Sequence, residues 1–324
     1  REYENRLRAY SQPEKIFAYF ASVKTKNSAG KWEIYMTPID FVRSMMPGMR
    51  QPDGLGLNMY RKMSREDSGN LTFKGVPEDT IFYTLRPDGL VPFTEYMYLS
   101  LLLPMSDNYF EIGFRIFDRW GGNTISFKDM VCLLEGIKGH ATFKPNNSVN
   151  RHFFGKHLAD RLSLEKFLNF KQQLMHDVLL IEFNLLHRTD KVTRPNKKDG
   201  AKVISEQAFS SLLMSYTGMP LSVKLATMQR IREKYRYSEE GVTLDEFMAF
   251  FKFVENIPKI DVALTFHFLA GADISRSTLM HITKIVTGVE LSSNIVEIIF
   301  NVFDVDNKGY LGRSEFLQAM RHQM

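Results

Sequence analysis

Asp304, Val305, Asp306, Asn307, Lys308, Gly309, Tyr310, Leu311, Gly312, Arg313, Ser314 and Glu315 form the stretch from which the architecture of this 324-residue chain can be read. Two carboxylates, Asp304 and Asp306, stand at positions one and three. Gly309 sits at position six, where a backbone folding around a hard cation must turn sharply. Tyr310 offers its carbonyl at position seven, and Glu315 at position twelve can chelate with both oxygens. Position five departs from the pattern, because Lys308 has no acceptor lone pair and brings a positive charge. Its long stem can swing the ammonium outward and leave water in that place. The stretch is expected to hold calcium more weakly than a complete loop, the alternative being an empty loop that the fold keeps in shape.

Leu311 inside this stretch belongs to a pattern that recurs along the chain. An aliphatic residue is followed by a residue that is usually Ser or Thr and, five positions on from the aliphatic one, by a large apolar residue. The aliphatic positions are Met36, Val91, Ile125, Leu162, Ile204, Val242, Ile274 and Leu311. Their spacings of 55, 34, 37, 42, 38, 32 and 37 residues mark a repeat of one supersecondary unit. The Ser or Thr caps a helix by accepting from an orphan N–H of its first turn. The aliphatic residue before it lies in a short extended piece, and the apolar residue beyond opens a buried helical stripe. A second stripe precedes several copies, as in Phe110, Phe114 and Phe117 or Ile295, Ile299 and Phe303. Helix, loop, short strand, helix is the EF-hand unit. Eight units make four pairs. The chain is therefore expected to be mainly α, with tandem EF-hand pairs joined by short two-stranded pairings. The expected division is an N-terminal domain over 1–104 and two lobes over 105–216 and 217–324.

Most of the loops are degenerate. Counting from Asp118 leaves only Asp118, the Thr124 carbonyl, Ser126 and Asp129 as oxygen donors, with Trp120 at position three and Gly122 at position five. That loop is expected to keep its shape and lose tight calcium binding. The other six loops read as having lost the ligand spacing.

Composition agrees with a packed chain of this kind. Hydrophobic residues make up 44% and include 26 Phe, which paired units use on both of their helices. Net charge is +5 and dispersed, so nucleic-acid binding is not indicated. One cysteine excludes a disulfide framework and a multi-thiolate metal site. Cys132 reads as a core residue. His152 and His157 lack a third ligand, and neither a phosphate-binding glycine loop nor a nucleophile elbow is present. No apolar run approaches the length of a membrane span. The chain begins with Arg, and a trimmed form without its targeting segment is expected. Nothing points to an enzyme.

Several stretches resemble the mitochondrial calcium uptake protein family, the regulators of the calcium uniporter. They are the run from Glu2 to Phe17, Met36-Thr37-Pro38 with Asp40 to Ser44, Ile81 to Thr84, Gln173 to Leu179, and Asp261 to Phe266 with His267 and Ala270 to Ala272. The start is most similar to the founding member. The resemblance implies a calcium-responsive gatekeeper of the intermembrane space, peripheral to the inner membrane. Its implied partners are the pore subunit, the small regulatory subunit of the uniporter, and a second copy or a paralogue as dimer. It also implies that the third and eighth loops are the calcium sites, and that basic residues near the start, here Arg6, Arg8 and Lys15, face an acidic ring at the pore. Ser11 and Glu14 with Pro13 read as a capping box that would set Lys15 on a helix. The resemblance also implies a C-terminal helix with its cysteine and a leading polybasic segment, and this sequence contains neither. Two other functions fit the residues: a calcium-independent EF-hand scaffold, and an EF-hand subunit of another enzyme such as a phosphatase.

Overall fold

A computed structural model describes residues 2–26, 30–51, 59–64, 72–118, 121–138, 147–190, 200–238, 240–269, 273–304 and 306–312. The chain divides into two compact units, Arg1–Glu182 and Phe183–Met324. In the first, the elements run α1 (Glu2–Tyr10), α2 (Pro13–Phe20), β1 (Val23–Lys26), β2 (Trp32–Met36), α3 (Pro38–Met45), β3 (Arg61–Lys62), α4 (Ile81–Leu85), β4 (Val91–Pro92) and α5 (Phe93–Leu102). They continue with α6 (Asp107–Phe117), β5 (Thr124–Ile125), α7 (Phe127–Lys138), α8 (Ser148–Phe154), β6 (Leu162–Ser163) and α9 (Leu164–Thr189), inside which the division falls. The second unit holds β7 (Val203–Ile204), α10 (Glu206–Ser215), α11 (Leu221–Lys234), β8 (Val242–Thr243), α12 (Leu244–Glu255), α13 (Ile257–Leu269), α14 (Arg276–Thr287) and α15 (Ser293–Phe303).

The eight aliphatic positions of the repeat meet one another in pairs. Met36 faces Val91, Ile125 faces Leu162, Ile204 faces Val242 and Ile274 faces Leu311, each in antiparallel register. All eight side chains are buried, none more than 2% exposed. The β7–β8 pair joins residues on either side of 216–217, where the sequence reading places a lobe edge. One pairing is larger than expected. β2 and β4 belong to a four-stranded sheet in the order β3-β1-β2-β4, because Val23 and Thr25 of β1 alternate inward and add a hairpin.

The hydroxyl residues after the aliphatic positions cap their helices. Thr37, Ser163, Ser205, Thr243 and Ser275 each accept from the backbone N–H three residues on, at 3.1–3.3 Å. Phenylalanines fill the space between paired helices. Phe167 meets Phe110, Phe114 and Phe153 at centroid distances of 4.4, 5.7 and 5.8 Å, and Phe209 meets Phe247 and Phe250 at 6.1 and 5.1 Å. Each such ring contact adds to the large apolar area these side chains remove from water.

Two local expectations are corrected. Cys132 is exposed, because the inward stripe of α7 runs through Met130, Leu133 and Leu134 and leaves residue 132 on the outer face. α2 starts at Pro13 with Gln12 as N-cap and no side-chain cap bond, so the Ser11–Glu14 box is not formed. Ser11 instead donates its N–H to Leu7 at the end of α1. No described helix is long and apolar enough to cross a membrane.

Leu162→Ala empties one half of a buried cross-strand pair and is expected to cost about 2–5 kcal/mol in urea unfolding of the full chain. Ile116→Ala, at an exposed site of α6, is expected to stay within about 0.5 kcal/mol of the parent.

Candidate metal centres

The third and eighth loops share a backbone design. Asp118 ends α6 and Asp304 ends α15, each donating its N–H back to a helical carbonyl at 2.8 Å. Both carboxylates then turn into the loop. Asp304 accepts from the N–H groups of Lys308 and Gly309 at 2.8 and 2.7 Å. Asp118 accepts from Gly122 and Asn123 at 3.2 and 2.6 Å. Positions four and six are left-handed in both loops: Gly121 and Asn123 at φ 69° and 50°, Asn307 and Gly309 at φ 52° and 82°. The two residue types that tolerate this conformation have exchanged places between the loops. Fold and turn chemistry therefore survive in the third loop, whatever happens to its ligands.

At the eighth loop the described residues at ligand positions are Asp304, Asp306, Lys308, which is not itself a ligand, and Tyr310. Lys308 Nζ lies 2.7 Å from Asp306 Oδ2, and both side chains are well exposed. The ammonium holds the Asp306 carboxyl below its ordinary range. A basic side chain thus occupies an oxygen that a cation would use, on an exposed stem. With Asp304 turned inward and position six pre-set, these residues fit a calcium loop. Glu315, the chelating residue, lies outside the described residues.

The third loop does not fit. Ser126 donates N–H and Oγ–H to Asp129 Oδ2 at 2.9 and 2.6 Å, so the position-twelve carboxylate closes a capping box at the start of α7. Asp40 and Glu246 do the same for Thr37 and Thr243. Acids persist at this place in the repeat because they cap helices, with or without a metal. The Thr124 carbonyl, at position seven, accepts from Arg161 Nη2 at 2.7 Å, and Thr124 Oγ1 accepts from Arg161 Nε at 2.8 Å. Among the described residues, no group of three or more His, Cys, Asp or Glu side chains could hold a metal ion.

One loop reads differently in the structure than in the sequence. Counted back from Val91, residues 84–95 place Asp88 at five, Gly89 at six with φ 62°, and Glu95 at twelve. The spacing survives, but position three is Arg86. Its guanidinium donates to both oxygens of Asp88 at 3.0 and 2.9 Å and lies 5.5 Å from the Tyr35 ring centre. Glu95 is buried, which pushes its pKa up, and its Oε1 accepts from the Ser148 N–H at 3.1 Å. The signal was the Gly-to-Glu spacing from Gly89 to Glu95.

The three basic residues near the start divide. Arg6 and Lys15 are exposed, on α1 and α2. Arg8 is turned inward: its donors reach the carbonyls of Arg43, Ser44 and Met49 at 2.8, 3.2 and 2.6 Å, and its guanidinium lies 4.7 Å from the Phe20 ring centre. It caps the end of α3, where a cation also meets the negative end of the helix dipole.

Paired helix–loop–helix units with one cation-type loop define an EF-hand protein. An EF-hand domain pair is matched at residues 270–323. The whole chain is 36% identical to Calcium uptake protein 1, mitochondrial, of Rattus norvegicus, of which it spans 69%. The chain belongs to the mitochondrial calcium uptake protein family. Its fold is similar to that of EFHA2 crystallised in an apo state (TM-score 0.69, 26% identity, 97% of each chain). It is also similar to EFHA2 in a Ca-binding state (TM-score 0.68, 25% identity, 96% of this chain and 99% of that one).

Asp129→Ala is expected to lower stability by about 1 kcal/mol through loss of the cap, measured by thermal unfolding, and to leave calcium uptake by the chain unchanged.

Proposed function

We propose that the protein is a regulatory subunit of the mitochondrial calcium uniporter, which senses calcium through residues 304–315 and transmits it to a partner contact. The observation that carries this is the eighth loop, where Asp304 is turned inward, Gly309 is left-handed and a second, exposed carboxylate, Asp306, stands at position three. Family membership supplies the context. Calcium would be held by Asp304, Asp306, the Tyr310 carbonyl and Glu315, with Lys308 displaced from Asp306 into solvent. Bound calcium adds charge at the end of α15 and biases how that helix packs. The relatives' names say mitochondrial; to this we add the intermembrane space, a place peripheral to the inner membrane, and pairing with a second copy or a paralogue. An N-terminal domain over 1–104 and two lobes over 105–216 and 217–324 belong to the same proposal.

Arg6 and Lys15 are the exposed side chains proposed to meet an acidic pore surface, while Arg8 is turned inward to α3. Contacts of this kind steer association and weaken as salt rises. Double replacement of Arg6 and Lys15 by Ala is expected to weaken pull-down of the pore subunit and flatten its salt dependence. The same pull-down with Arg6 and Lys15 intact, but showing no salt dependence at all, would contradict the steering role.

Calorimetric titration of the full chain tests the sensing claim. One class of calcium site is expected, lost in Glu315→Ala. Lys308→Asn, which removes the charge and supplies an acceptor, is expected to tighten binding about tenfold. Absence of binding at millimolar calcium would leave only the calcium-independent scaffold.

A further inference from the structure

In the third loop two of the oxygens expected to face calcium are spent on the protein itself. Asp129 closes the cap of α7 and the Thr124 carbonyl accepts from a guanidinium, while Asp118 keeps the same inward turn as Asp304. That guanidinium belongs to Arg161, one residue before Leu162 in the partner loop. The register Ile125↔Leu162 and Thr124↔Ser163 brings residue 161 to the mouth of the third loop. The carbonyl it takes is the one that a calcium loop presents to its ion at position seven. Arg161 also binds the hydroxyl of the same threonine, so two of its donors are fixed on one residue.

We infer that Arg161 is a tethered cation standing in for calcium, which keeps the 118–129 loop and the β5–β6 pair in their paired form with no metal. An independent loop carries the same device. In residues 84–95, Arg86 stands at position three and holds Asp88 at position five, while Asp88 Oδ1 also accepts from the Leu90 N–H at 3.1 Å. In both cases a guanidinium, weakly hydrated and planar, satisfies two acceptors at once. The arrangement makes the first compact unit independent of calcium, and it does not rest on calcium sensing by the eighth loop.

Amide hydrogen exchange of the full-length chain tests this, read at Thr124, Ile125, Leu162 and Ser163. In the parent chain, protection there is expected to be equal in chelator and in calcium. Arg161→Gln, which can still donate to a carbonyl but carries no charge, is expected to lower protection about three- to tenfold. Arg161→Lys, which keeps the charge, is expected to retain most of it. Residue 161 is exposed, so neither change opens the core. Protection that rises with calcium in the parent would overturn the inference. So would a Gln variant equal to the parent, or a Lys variant no better than Gln.

Discussion

Four aliphatic pairs hold this molecule in register: Met36 with Val91, Ile125 with Leu162, Ile204 with Val242, and Ile274 with Leu311. Each pairing is too short to be stable by itself, since a ladder of one or two residue pairs contributes few hydrogen bonds. What makes the pairing hold is burial of both aliphatic side chains beneath helices whose own apolar stripes need cover. The position of every loop follows from these pairs. A slip of one residue would turn the aliphatic side chain outward and move each loop relative to its partner.

The same geometry explains why loops decay without the fold decaying. The residue after the aliphatic position caps a helix, and the acid three places further supports that cap in Thr37–Asp40, Ser126–Asp129 and Thr243–Glu246. A carboxylate at the twelfth loop position therefore has work to do in the absence of a metal. Inward-turned aspartates and left-handed residues at positions four and six keep the turn in place. Under these constraints ligands can be replaced by basic side chains. A guanidinium or ammonium restores charge balance around the remaining oxygens, as Arg86 does for Asp88 and Lys308 for Asp306.

The repeat was legible in the sequence because its elements are local: an aliphatic residue, a hydroxyl cap, a helical stripe. The eight positions read from the sequence are the eight that pair. Arg161 was not legible, since its contact with Thr124 exists only once Leu162 is set opposite Ile125, and no spacing rule joins residues so far apart. Arg8 reads as a surface charge among Arg6 and Lys15, yet three carbonyls near the end of α3 draw it inward. The extra strands β1 and β3 were missed because two to four residues of mixed character carry no periodic signal. Of the eighth loop, the acceptors and turn residues were readable, as was the position of Lys308; its partner, Asp306, emerges from the geometry.

Among the described residues, one loop has an exposed lysine as its resident cation, and others have a guanidinium or a helix cap on their oxygens. The proposed sensing role has calcium compete only with the former. The number of calcium ions bound per chain at saturation, measured by equilibrium dialysis of the full-length protein, tests that division most directly. One ion per chain is predicted; two would show that the loop closed by Arg161 still admits calcium, and none would show that Lys308 has closed the last loop as well.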